Sequence, residues 1–171
     1  MVTGAPIARF SLTDHNGRDV TEADFSGSYL LVYFGFTHCK VVCPRSLAKL
    51  SRVLDLLGDR AENVVPLYVT VDPERDTPEV MRSYLAQNHP RFLGLTGPED
   101  KIASAKKAFR VFAEWKGDET APDGYVVPHT AIAYLMDPDG QHLDHFIDSL
   151  DEREIADRMG AVIEKMEGEG Q

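Results

Sequence analysis

Two cysteines, Cys39 and Cys43, lie in the stretch FGFTHCKVVCPRSL at 34–47, and the 171 residues contain no other thiol. Such a pair can close a structural disulfide, exchange disulfides with a partner or bind a soft metal, and the last two require thiolates. With Cys39 in a strand-to-helix turn and Cys43 in the first turn of the helix, the four-residue separation brings both sulfurs to one side. Amide N–H groups and the positive end of the helix macrodipole favour thiolates there, and Lys40 between the two pushes the same way. A disulfide would close so short a loop that little chain entropy is removed, so a stiffening role, or two inert buried thiols, explains less. A peroxide-reducing cysteine needs a threonine three residues and a proline seven residues ahead. The chain has Phe36 and Val32 at those places before Cys39, and Lys40 and Phe36 before Cys43.

The elements that must position these thiols are legible from pattern. Residues 8–12, the DHNG at 14–17 and residues 18–20 predict a hairpin, because Asn-Gly tolerates positive φ. SYLLVYFGF at 28–36 is a continuous apolar run, as suits a strand covered on both faces, and it leads into Cys39. Pro44 then opens a helix carrying Leu47, Leu50, Leu54 and Leu57, which Gly58 ends. NVVPLYVTV at 63–71 predicts a second buried strand, in which Pro66 calls for one-edge pairing or a bulge. Thr77 caps a helix with Pro78 at its first position, running to about Asn88.

Further on, PEDKIASAKKAFRVF at 98–112 predicts a helix with Ile102, Ala105, Phe109 and Phe112 on one face. Residues 113–127 show no period and read as a long loop ending just before Pro128 and His129. AIAYLMDPDGQHLDHFI at 131–147 predicts a hairpin turning through Asp-Pro-Asp-Gly. Ser149 with Glu152 forms a capping box before a helix through about Met166. Strands alternating with helices and finishing in a hairpin plus helix predict one α/β layered domain of thioredoxin type over 7–166, with a loose start at 1–6 and a fraying tail at 167–171.

A chain of this length supports one well-buried core. Eighteen basic against 28 acidic side chains leave a formal charge of -10, which repels polyphosphate and anionic lipid, so no nucleic-acid partner is expected. No apolar run is long enough to span a membrane, and residues 1–10 lack the pattern of a secretory signal. The opening MVTGAP reads as a natural loose start or as the end of a trimmed chain from which an anchor was removed.

Three blocks in order, YFGFTHC with CP four residues on, VDPERDTPE at 71–79 and HTAIAYLMDPDG at 129–140, resemble the Sco/SenC family of copper chaperones. Members of that family help assemble the binuclear CuA site of cytochrome c oxidase. The resemblance implies a thioredoxin-like fold and a metal site of Cys39, Cys43 and His129. It also implies delivery of copper to oxidase subunit II, or exchange with another copper chaperone, by a protein tethered in the bacterial periplasm or the mitochondrial intermembrane space. The donor set agrees: two thiolates suit Cu(I), and an imidazole serves Cu(I) or Cu(II).

By itself His129 would read as an ordinary histidine; its place after a loop and at a strand entrance changes that balance. Asp72, Arg75 and Asp76 read as loop scaffolding, with a role in shaping a partner surface as the alternative and a direct ligand role as the minority option. Lys40-Val41 and Pro128 depart from the family's Pro-Asp after the first cysteine and its aspartate before the histidine. Both departures remove an acidic neighbour that would tune the ligands. The competing function is a thiol–disulfide oxidoreductase in which Cys39 attacks and Cys43 resolves, favoured by Lys40 and Pro128. A zinc site with an open position is a weaker third, since no acid–base partner accompanies it. His142 and His145, three apart in a strand, are expected on opposite faces and unable to chelate together. His38, His15 and His89 are expected at the surface.

Overall fold

The computed structural model describes residues 7–37, 42–109, 116–117, 125–126, 132–147 and 149–169, with backbone alone at 42, 43, 116, 117, 125, 126 and 169. Strands β1 (Ser11–Asp14) and β2 (Asp19–Thr21) form the first hairpin, followed by β3 (Tyr29–Gly35), α1 (Val42–Leu57) and β4 (Val64–Thr70). Next come α2 (Pro78–Asn88), β5 (Leu93–Thr96) and α3 (Glu99–Phe109), then the short pair β6 (Lys116–Gly117) and β7 (Tyr125–Val126). The chain closes with β8 (Ile132–Met136), β9 (His142–Ile147) and α4 (Glu152–Glu169). Seven strands make one sheet in the order β2-β1-β5-β4-β3-β8-β9, with β3, β4 and β5 parallel and β8 antiparallel to β3.

All seven residues of β3 are buried because both faces of the sheet are covered, which is why its sequence is continuously apolar. On one face Tyr29, Leu31 and Tyr33 meet Leu47, Leu50 and Leu54 of α1, Met81 and Leu85 of α2, and Ile155, Met159 and Ile163 of α4. On the other, Leu30, Val32 and Phe34 meet Ile102, Ala105 and Phe109 of α3. The α/β layering expected of a thioredoxin-like domain follows directly from these two cores.

Pro66 sits opposite Leu31 of β3, and pairing to β5 begins only at Leu67, so the missing N–H falls where β4 has a neighbour on one side. The Thr77 hydroxyl accepts from the Val80 amide and Pro78 occupies the first turn of α2 as expected. Three readings change. The four-residue strand β5 is too short for an alternation to show. Within the expected loop at 113–127, Lys116 pairs with Val126 and Gly117 with Tyr125; Phe112 and the rest of that loop fall outside the described residues. Asp151 rather than Ser149 caps α4: its Oδ1 accepts from the Glu154 amide at 2.8 Å, and the helix continues to Glu169.

The pairing of β8 with β9 carries a further correction. Tyr134 faces His145 and Leu135 faces Asp144, but Met136 faces His142, leaving Leu143 as an extra residue. This bulge points Leu143 and Asp144 both toward α4: Leu143 packs on that core and Asp144 pairs with Arg158. His142 and His145 therefore share the opposite face, against the expectation from strict alternation.

Gly94 in β5 lies under α2 so closely that an added Cβ would stand 2.9 Å from Leu85 Cδ1 and 3.1 Å from Met81 Cε. Gly94→Ala is expected to destabilise the domain by about 1–3 kcal/mol through overpacking, read as a lowered midpoint in urea. An unchanged midpoint would show that α2 is free to shift.

Candidate metal centre

Parallel strands β3 and β4 end at one edge of the sheet, where Gly35 pairs with Thr70. Because β8 runs antiparallel to β3, with Ala133 opposite Tyr33, the chain enters β8 at that same edge. Helix α1 starts there too, with Cys43 as its second residue and Pro44 as its third. Proline is tolerated in a first turn because the N–H it lacks has no intrahelical acceptor. No acidic residue stands in that first turn, so the positive end of the helix macrodipole is not offset by its own side chains. Open α/β sheets commonly bind ligands at the carboxyl ends of their strands. Cys39, Lys40, Pro128, His129 and the side chain of Cys43 lie outside the described residues, as does His38.

One carboxylate ties this edge together. Asp76 is fully buried, at 0% exposure. Its Oδ2 accepts from the Thr37 amide at 3.0 Å and from the Thr70 hydroxyl at 2.7 Å, and its Oδ1 accepts from the Thr37 hydroxyl at 2.5 Å. The Thr96 hydroxyl donates to the Asp76 carbonyl at 2.7 Å. Thr70 and Thr96 are the last residues of β4 and β5, and Thr37 follows the end of β3. A single residue thus joins the carboxyl ends of all three parallel strands. Burial raises the Asp76 pKa above the ordinary carboxylate value, with the nearby Asp72 adding to it, while the hydrogen bonds from Thr37 and Thr70 pull the other way.

The loop before Asp76 is folded onto itself. The Asp76 amide donates to the Asp72 carbonyl at 3.0 Å, the Asp72 amide donates to the Thr70 hydroxyl at 2.9 Å, and Arg75 pairs through Nε with the Asp72 carboxylate. Both acids are therefore engaged by protein donors. Among the described residues no group of three or more His, Cys, Asp or Glu side chains is placed to hold a metal ion. Sequence reading passed over Thr37, Thr70 and Thr96, because a threonine in or beside a strand is an ordinary β-former until its hydroxyl partner is known.

The other described histidines take their own places. His89 is buried at the end of α2 with its ring 5.8 Å from that of Tyr84, not at the surface, and burial lowers its pKa. His15 is half-buried in the turn after β1, and its Nδ1 accepts from the Gly94 amide at 3.1 Å, which ties that turn to β5.

The SCO1/SenC family matches residues 3–164. A mouse relative, "Protein SCO1 homolog, mitochondrial", is 40% identical over 154 residues, covering 89% of this chain and 54% of its own length. A Rickettsia felis "SCO2-like protein" is 40% identical over 138 residues, covering 80% of this chain and 67% of the relative. The chain thus spans about half the length of the mouse protein. Among solved structures, Arabidopsis thaliana ScoI with copper bound is similar with a TM-score of 0.88 at 33% identity, over 94% of this chain and 99% of that one. Yeast Sco1 with copper bound is similar with a TM-score of 0.86 at 34% identity, over 94% and 90% of the two chains. This chain belongs to the SCO1/SenC family.

Proposed function

We propose that this protein is a copper chaperone. It holds one ion through Cys39, Cys43 and His129 and passes it by ligand exchange to cysteines of the CuA site in cytochrome c oxidase subunit II, or to or from another copper chaperone. The observation that carries the reading is the similarity, over 94% of the chain, to Sco proteins solved with copper bound. Covalent reach supports it. Cys39 stands two residues after Thr37 and His129 three before Ile132, within about 7 Å and 11 Å of anchor points on one sheet edge.

The chemistry fits the cargo. Two thiolates and one imidazole are donors that accept Cu(I) and tolerate Cu(II). Two thiolates with Cu(I) leave one negative charge, which the start of α1 and Lys40 offset. Copper bound in the similar Arabidopsis and yeast structures favours this function over thiol exchange by the same pair, and over a zinc site. Val41 and Pro128 stand where the family commonly has aspartate, and loss of those two acids next to the ligands in sequence sets affinity and redox preference apart from relatives that have them. Asp76 acts as a positioning residue, since it fixes Thr37, two residues before Cys39, while Asp72 and Arg75 brace the loop that carries Asp76. The setting we propose is the bacterial periplasm, or the mitochondrial intermembrane space as for the mitochondrial relatives, with a membrane tether outside this sequence.

Titrated anaerobically with Cu(I), the reduced protein is expected to bind one equivalent and to lose it when either cysteine is replaced. His129→Ala is expected to weaken binding by at least the roughly 10–100-fold that loss of an outer partner costs; undiminished affinity would leave the imidazole out of the site and return thiol exchange to first place. Asp76→Ala leaves buried donors unpaired and is expected to cost about 1–3 kcal/mol for each, with weakened Cu(I) binding as well.

Asp76→Asn keeps a carbonyl for the Thr37 amide and the Thr70 hydroxyl, and its NH2 can donate to the Thr37 oxygen, but it removes the titration. The Asp76 pKa is raised in the folded state from an ordinary 3.8, so the folded protein binds more protons than the unfolded chain above that pH. Its contribution to stability is therefore complete below 3.8 and is lost as pH rises through the folded value. Unfolding free energies of the Asn variant and the parent should diverge in the variant's favour over that interval. A difference independent of pH would contradict the assignment.

A further inference from the structure

The bulge in β9 creates a second pair of donors, well separated in the fold from the cysteine edge. His142 Nε2 and His145 Nδ1 lie 3.0 Å apart, with ring centroids separated by 5.2 Å. His142 pairs with Met136 and His145 with Tyr134, so the two rings stand toward the end of β8 remote from Cys43. Strand β9 is the outer strand of the sheet and His145 is exposed, which leaves water free to approach. The neighbouring acid is directed elsewhere: both Asp144 oxygens accept from Arg158, at 2.6 Å and 3.1 Å.

We propose that His142 and His145 form a bidentate imidazole clamp for a divalent transition cation, Cu(II) or Ni(II) in preference to Zn(II). Metal–imidazole bonds of about 2.0–2.1 Å to two nitrogens 3.0 Å apart subtend roughly 94° at the ion. That angle is the cis angle of tetragonal coordination, the geometry that Cu(II) and Ni(II) adopt. A tetrahedral zinc would need the nitrogens to open to about 3.4 Å. Without metal the two rings share one proton in a hydrogen bond. On binding, each neutral ring carries its proton on its other nitrogen, and no net proton need be released. Water completes the coordination shell on the open side of the strand. The clamp exists because one extra residue restores two histidines three apart to a common face.

The test uses the untagged full chain carrying Cys39→Ser and Cys43→Ser, so that the proposed thiolate site is absent. Calorimetric titration is expected to show one equivalent of Cu(II) bound, Ni(II) bound more weakly and Zn(II) more weakly than Cu(II), with nitrogen hyperfine splitting in the Cu(II) EPR spectrum. Loss of the chelate by either His142→Asn or His145→Asn is expected to weaken binding on the order of tenfold or more and to reduce that splitting from a two-nitrogen to a one-nitrogen pattern. Ni(II) titration of the chain with both cysteines present is expected to show the same dependence, which guards against a misfolded serine variant. Absence of binding, or binding indifferent to both asparagine substitutions, would overturn the clamp. Either result leaves the Cu(I) reading of the cysteine edge standing, and failure of that reading leaves this one standing.

Discussion

The hydrogen bonds to Asp76 are the constraint on which the functional edge depends. A buried carboxylate is costly unless its oxygens find donors, and here the donors are supplied from the carboxyl ends of three separate strands. Satisfying one residue therefore fixes three strand ends relative to one another, and with them the point at which the chain leaves β3 for the cysteines. Burial disfavours ionisation more than the threonine bonds favour it, so the carboxyl at the centre of the clasp keeps a raised pKa.

The clasp sits in a sheet that is packed on both faces. Two apolar cores, one under α1, α2 and α4 and one under α3, hold β3 from both faces, and interiors packed at this density deform little. A metal site assembled from distant segments needs such rigidity, since donors displaced by a fraction of an ångström lose coordination geometry. The start of α1 adds a fixed electrostatic field at the same edge. Fold, clasp and helix dipole act on one small region, and the family to which the chain belongs is one whose solved members include proteins with copper bound.

Much of the architecture was legible because it rests on local rules. The apolar run of β3, the leucine spacing of α1, the Thr77 cap of α2 and the Asp-Pro-Asp-Gly turn each carry a signal within a few residues. The cysteine pair carries a thiolate reading in its own spacing, whereas the ligand role proposed for His129 rests on resemblance to a family. Less was visible where two local patterns compete or where a partner is remote. Ser149 with Glu152 satisfies the capping pattern, yet Asp151 at the helix boundary takes the role because its carboxylate reaches the third helical amide. Short β5 is made a strand by β1 and β4 on either side of it.

The amino-acid sequence by itself determined the class of fold, the strand-to-helix junction that holds two thiols and the formal charge of -10, because periodicity, turn chemistry and net charge are properties of neighbouring residues or of sums over the chain. Tertiary structure alone decided that Asp76 would join three strand ends, that His89 would be buried, and that His142 and His145 would face each other. Those outcomes depend on register between strands, and a register is set by packing of whole elements: one inserted residue in β9 reverses which side chains share a face.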